Sequence, residues 1–113
     1  MTTVCRVVGD LDARSVVSFR EGTALVARAG DPAVLDLTEV GFIDSVGLGA
    51  LVGVVRRCHD AQLAVACCAR PAVAAALRCV GFDRLAPVAA TIEDAVAWLA
   101  TQAPAKDREL VPA

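Results

Sequence analysis

Residues 40–53 read VGFIDSVGLGALVG. A β-branched and aromatic run ends at Asp44 and Ser45, and a glycine-punctuated apolar segment of helical length follows at once. That change of pattern marks a strand-to-helix junction. Asp44 has the chemistry of an N-cap, with Ser45 as the first helical residue. In open α/β sheets such junctions lie at the carboxyl ends of the strands, where ligands and partners bind. The acid and the hydroxyl are therefore either a helix cap or a site.

Working outward, Thr3 to Val8 reads as a strand and Gly9 to Asp12 as a turn. Asp12 is placed to cap a helix that runs to about Ala29, with Val16, Phe19, Thr23 and Val26 facing inward. Gly22 weakens that helix, and Gly30-Asp31-Pro32 ends it. Ala33 to Leu37 reads as a strand buried on both faces, as in a parallel sheet. After an extended link, the second helix covers 46–59, with Leu48, Leu51, Val52 and Val55 inward. Leu63 to Cys67 reads as the third strand. Pro71 opens a third helix and Gly81 stops it, with Val73, Leu77 and Val80 inward. Leu85 to Val88 reads as a fourth strand. Thr91 caps a last helix, with Ile92, Ala95, Val96 and Leu99 inward and Trp98 as core packing. The alternation predicts an α/β fold: one domain over 1–101, with about four strands in a mostly parallel or mixed sheet and four helices packed on it. Residues 102–113 are rich in Pro, Ala and charge and are expected to be a disordered tail.

The 113 residues suffice for one core and not two. The chain is 57% apolar, but no apolar run approaches the ~18 residues of a membrane span. A net charge of −2 with dispersed acids and bases excludes a basic nucleic-acid footprint. The five cysteines (Cys5, Cys58, Cys67, Cys68 and Cys79) form no CxxC pair, and no secretory signal precedes them. A reducing cytoplasm fits better than a disulfide framework. Cys58, Cys67, Cys68 and Cys79 read as small buried hydrophobes; the alternative is a redox switch in which one of them pairs with another. The only histidine, His59, has no zinc-ligand spacing around it.

Enzyme readings of the junction fail on spacing. Gly47-Leu48-Gly49 begins like a dinucleotide fingerprint, but the third glycine, Gly53, comes one place late and the ribose-binding acid is missing. No Lys-Ser or Lys-Thr follows the glycines as a P-loop needs. His59 is ~20 Å down the same helix from Ser45, so it cannot act as its base. An aspartyl-phosphate receiver built on Asp36 and Asp44 lacks a lysine within the fold. No catalytic residue, metal or cofactor is therefore assigned.

The second helix carries a different signal. Its expected outward face, Val46, Ala50, Gly53, Val54 and Arg57, is small and apolar where a solvated face is normally charged. Glycines inside a helix cost ~1 kcal/mol each relative to alanine, and three of them, at 47, 49 and 53, suggest close approach by something. Either another helix of the fold covers that face, or a partner protein docks on it.

At this point the residues resemble a known family. VLDLTEVGFIDSVGLGALVGVVRRC, residues 34–58, is similar to the central motif of STAS domains of the anti-sigma factor antagonist type. GDLDA at 9–13 resembles the family's turn before the first helix, and TIEDAVAWL at 91–99 its last helix. ARPAVAAALRCVGFDRLAPV at 69–88 resembles the helix-glycine-strand segment between them. The resemblance implies that Ser45 is a regulatory phosphorylation site, with Asp12 and Asp44 beside it. Together with the outward face read above, this gives an expected binding surface of Asp12, Asp44, Ser45, Val46, Gly47, Gly49, Ala50, Gly53, Val54 and Arg57. The implied partners are an anti-sigma factor, often a GHKL-type serine kinase, and a PP2C-type phosphatase that resets the serine. ATP and metal belong to those partners. The alternatives are an unphosphorylated subunit of a lipid-transport ATPase complex and a small-ligand or redox sensor. Val46 stands where many members have a second hydroxyl. Many members also begin with one more strand; its absence here would leave a sheet edge on which two copies could pair.

Overall fold

The structure, a computed structural model, describes residues 1–102. The rest of the expected tail, 103–113, lies outside the described residues. The chain alternates strand and helix: β1 (Thr3–Val8), α1 (Val16–Thr23), β2 (Ala33–Glu39), α2 (Ser45–Asp60), β3 (Val65–Ala69), α3 (Pro71–Cys79), β4 (Val88–Ala89) and α4 (Ile92–Ala100). The four strands lie in sequence order, β1-β2-β3-β4, and every pairing among the described residues is parallel.

Strand parity divides the core in two. Ala33, Leu35 and Leu37 of β2, with Val65, Cys67 and Ala69 of β3, face α1, α2 and α3 in one large cluster. Val34, Ala66 and Cys68 face the other way and pack with Ala95 and Leu99 of α4. Both central strands are covered on both faces, so they read as unbroken apolar runs. Leu35, Leu37 and Leu51 are completely buried, each contributing roughly 1.5–3 kcal/mol relative to an exposed side chain.

The elements depart from the sequence expectations in several places, the third strand among them, which runs from Val65 to Ala69 rather than from Leu63 to Cys67. The expected long first helix breaks into α1 and a 3-10 turn at Ala27–Ala29. Gly22 and Thr23 are poor helix formers, and the Thr23 hydroxyl donates back to the Phe19 carbonyl at 2.8 Å. Val16, Phe19, Thr23 and Val26 are nonetheless buried as expected. The fourth strand begins at Val88 rather than Leu85, because Gly81 turns the chain in the left-handed region and a 3-10 turn at Phe82–Arg84 precedes the strand. Phe82 fills the core place assigned to Val80, which is 60% exposed beyond the end of α3. Val96 is exposed on α4, where Ile92, Ala95, Trp98 and Leu99 form the packed side. The Thr91 cap is present: its hydroxyl accepts from the Asp94 N–H at 3.1 Å.

One charged group lies inside the sheet. Asp36 is 1% exposed on the α4 side of β2. Its Oδ1 accepts from the Thr38 N–H at 3.0 Å, the Thr38 hydroxyl at 2.6 Å and the Cys68 thiol at 3.5 Å. Its Oδ2 faces Arg6 Nε at 3.5 Å. Burial alone would raise its pKa, but the Thr38 and Cys68 hydrogen bonds and the Arg6 charge outweigh burial and hold it below the usual carboxylate value. The stabilisation is therefore complete above the unfolded-state value of ~3.9 and is lost as pH falls through the lower folded value. Asp36→Ala, which strands the Thr38 and Cys68 donors, is expected to cost about 2–3 kcal/mol in urea denaturation. Arg6→Ala is expected to cost under about 1 kcal/mol, because the arginine is mostly solvated. Equal losses would show that the ion pair, not the hydrogen-bonded carboxylate, holds this point.

Candidate functional site

The loops after β1 and β2 are joined at the carboxyl end of the sheet. Leu11 pairs with Ile43 in an isolated parallel bridge. The Leu11 N–H donates to the Phe42 carbonyl at 2.9 Å, and the Asp44 N–H donates to the Leu11 carbonyl at 3.2 Å. Leu11 is 1% exposed, so this two-bond zipper is anchored by a core side chain. It fixes the first turn of α2 against the β1–α1 loop.

Asp44 is the N-cap of α2, as expected. Its Oδ1 accepts from the Gly47 N–H at 2.8 Å, while Oδ2 accepts from the Ala13 N–H at 3.3 Å. One carboxylate thus caps the helix and ties it to the neighbouring loop. Asp12 caps its own turn rather than the start of α1. Its Oδ1 accepts from the Arg14 and Ser15 N–H groups at 2.9 and 3.2 Å. The Ser15 hydroxyl donates to the Asp10 carbonyl at 2.7 Å. Ser45 is the first residue of α2 and is exposed. The structure therefore brings Asp12, Asp44 and Ser45 to one end of the sheet.

The outward face of α2 is narrower than its sequence suggests. Ala50 and Val54 are 4% and 1% exposed, so neither can form a partner surface on this fold. The reason is that α1 packs against α2 from the side, burying positions that a helix lying alone on a sheet would leave open. Leu48 and Val52 are correspondingly only half-buried. Gly47 is buried too: a Cβ there would run into the Leu11 carbonyl. Its close neighbour is the zipper loop of the same chain, not a partner. Around Gly49 there is open space, and Gly53 lies under the guanidinium of Arg57, 3.5 Å from where its Cβ would be. The exposed strip that remains comprises Ser45, Val46, Gly49, Arg56 and Arg57, with Gly53 half-buried beside it.

Two features beside Ser45 were not singled out from the sequence. Phe42 is 55% exposed in the loop, and an aromatic next to Gly41 was a readable sign of it. A shallow recess of about 210 Å³ opens between the start of α2 and the end of α3, lined by Ile43, Ser45, Leu48, Leu77 and Val80. Arg70, at the end of β3, donates from Nε to the Thr38 carbonyl at 2.9 Å. Asp10 and Arg70 flank Gly41, their side chains 3.4 and 3.9 Å from where its Cβ would stand.

The cysteines are all free thiols. Burial raises the pKa of Cys58 against a smaller opposing effect of Arg57, and burial raises that of Cys67 strongly. Cys68 is pushed up to about 12 by burial and by Asp36. Thiols held protonated in this way are poor nucleophiles near neutral pH. Cys79 is exposed at the end of α3. Among the described residues, no group of three or more His, Cys, Asp or Glu side chains could hold a metal ion, and no helix is long and apolar enough to cross a membrane.

The first two glycines of α2 should respond oppositely to alanine. Gly47→Ala must displace the Leu11 backbone and is expected to lose at least about 2 kcal/mol. Gly49→Ala meets nothing and is expected to gain up to about 1 kcal/mol from helix propensity. Denaturant midpoints of the two variants check this. A loss at Gly49 as large as at Gly47 would show that the strip is packed within the fold.

Comparison with known proteins agrees with this fold. The STAS domain family model matches residues 1–95. A crystal structure of an anti-sigma factor antagonist from Mycobacterium paratuberculosis superposes with a TM-score of 0.77 at 24% identity, covering 88% of this chain and 86% of that one. A Thermotoga maritima protein, provisionally described as an anti-sigma factor antagonist, gives 0.75 at 20% identity, covering 86% and 87%. Bacillus SpoIIAA, an anti-sigma factor antagonist solved in unphosphorylated and phosphorylated forms, gives 0.62 at 22% identity in both, covering 87–89% of this chain and 90–91% of that one. No sequence among the curated proteins matches. At these identities the solved structures speak for the fold, while the family match spans most of the sequence: the chain belongs to the STAS domain family.

Proposed function

We propose that this protein is an anti-sigma factor antagonist, switched off by phosphorylation of Ser45. The observation that carries the reading is the placement of Ser45. It is an exposed hydroxyl on the first residue of α2, held by the zipper, beside exposed Val46 and Gly49 and half-buried Gly53, with Arg56 and Arg57 at the far end of the strip. Likeness to solved anti-sigma factor antagonists, one of them known in a phosphorylated form, supports it.

The switch works through desolvation. The unphosphorylated strip, Val46, Gly49 and Gly53 with Phe42 and the recess beside α3, offers the partner a surface with little charge at its centre. A phosphate on Ser45 carries about −1.5 to −2 charge. The helix N-terminus tolerates that charge in water through its free N–H groups and dipole. Docking would strip its hydration next to Asp44 and Asp12, and an unpaired desolvated charge is costly. The partner consistent with this chemistry is an anti-sigma factor that is itself a GHKL-type serine kinase, with a PP2C-type phosphatase restoring the hydroxyl. ATP and metal stay with those enzymes, and this chain contributes the acceptor and the surface.

The test uses the anti-sigma kinase of the same host, calorimetric binding and intact mass. Wild type and Ser45→Ala are expected to bind equally, and only wild type gains one phosphate with ATP. Ser45→Asp is expected to bind at least tenfold more weakly with a melting temperature within about 2 °C of wild type, since surface changes stay near ±0.5 kcal/mol. Equal binding by all three proteins, or transfer of phosphate to Ser45→Ala, would overturn the reading.

A further inference from the structure

We infer that β1 is a pairing edge through which two copies of this chain join their sheets, antiparallel and in register about Arg6. The two edges of the sheet are unlike. β4 is a two-residue strand, short enough to protect its own edge. β1 is six residues long and carries no proline and no lysine; its one charge is Arg6, and its register with β2 shifts between Arg6 and Val8. Its pairing with β2 consumes alternate backbone groups: the Thr3 N–H donates to the Pro32 carbonyl, and Thr3 stands opposite Ala33. By the alternation of a parallel ladder, the N–H and C=O groups of Val4, Arg6 and Val8 point to the open side. Val4 and Val8 are 47% and 73% exposed, although each flanks the covered centre of the sheet.

The occupant is specified by the strand itself. A twofold interface must be self-complementary. Val4-Cys5-Arg6-Val7-Val8 is apolar on both sides of one arginine. Antiparallel pairing centred on Arg6 sets Val4 opposite Val8 and Cys5 opposite Val7, twice over, so that every valine of the edge gains an apolar neighbour. The register also suits the backbone. Val4, Arg6 and Val8, which carry the outward groups, fall at the hydrogen-bonded pairs, and Cys5 and Val7 at the closer, non-bonded pair. The two arginines that meet on the axis are compensated from behind. Each Arg6 stands opposite Asp36 on β2, with Nε 3.5 Å from its carboxylate, which draws the guanidinium away from the edge.

There is room on the helix side as well. A groove of about 210 Å³ runs between the β1 edge and α1, lined by Cys5, Val7, Ser15, Ser18, Phe19 and Gly22. Cys5 and Val7 are only half-buried there, while their neighbours in β2 are fully buried. Cys5 and Val7 of a second copy would enter this groove and complete the core. Ser15, Ser18 and Gly22, all small, lie on the groove side at and along α1 and allow the two α1 helices to face each other across the axis. The interface stands apart from the Ser45 strip on α2, so it leaves the proposed switch surface free.

Sedimentation equilibrium under reducing conditions reads the association directly. Wild type is expected to be a dimer that dissociates on dilution. Val8→Lys, at an exposed position, is expected to be monomeric with an unchanged melting temperature. Val7→Cys reads the register: it places a new thiol opposite Cys5 of the second copy. With diamide as oxidant, and with the exposed Cys79 replaced by Ser in both proteins, it is expected to give disulfide-linked dimers, which the chain without the new thiol does not form. A monomer at every concentration would overturn the inference. So would a dimer that persists in Val8→Lys and is not cross-linked in Val7→Cys. Cross-linking of wild type through its own Cys5 would overturn the Arg6-centred register.

Discussion

The close approach of the Leu11 carbonyl to the first turn of α2 is the constraint on which the site depends. That oxygen accepts the Asp44 N–H and lies against Gly47, where a side chain has no room. It fixes three things together: the start of α2, the position of the β1–α1 loop, and the direction in which Ser45 leaves the surface. Asp44 strengthens the same point from its side chain, reaching both Gly47 and Ala13. Because Leu11 is also a core residue, the loops cannot separate without opening the main hydrophobic cluster. The presentation of Ser45 and core packing are thus one structural decision.

Under the proposed function, this coupling directs the effect of a charge at Ser45 to a partner rather than to the fold. The Gly47 N–H is already used by Asp44, and the Leu48 N–H bonds the Asp44 carbonyl at 2.8 Å. A phosphate would therefore add charge to the helix end without displacing either of these bonds. Its favourable interaction with the helix dipole and its repulsion by Asp44 oppose each other in solvent, where both are screened. Neither effect approaches the free energy that holds Leu11 in the core.

Much of the fold was readable from the sequence because the central strands and the helix caps obey local rules. The apolar run of β2, Thr91 at the start of α4 and Pro71 at the start of α3 each carry their meaning within a few residues. What local rules could not supply was lateral packing. Ala50 and Val54 lie on the side of α2 that would be open if only the sheet were present, and α1 buries them. Gly47 and Gly49 look alike in sequence, yet one meets a backbone oxygen and the other open space. Asp36 likewise read as one acid of a rejected receiver cluster, because its partners Arg6 and Cys68 come from strands on either side. Each of these depends on a segment distant in the chain.

Amide hydrogen exchange, followed on the unphosphorylated protein and on the Ser45 phosphoprotein, tests the central claim most directly. The account predicts that the Leu11, Asp44 and Gly47 amides keep the same protection in both forms, with changes confined to amides of the first turn that the phosphate itself touches. A loss of protection at Leu11 and Asp44 on phosphorylation would contradict it, showing that the modification opens the zipper and works by unlocking the fold instead of by charging its surface.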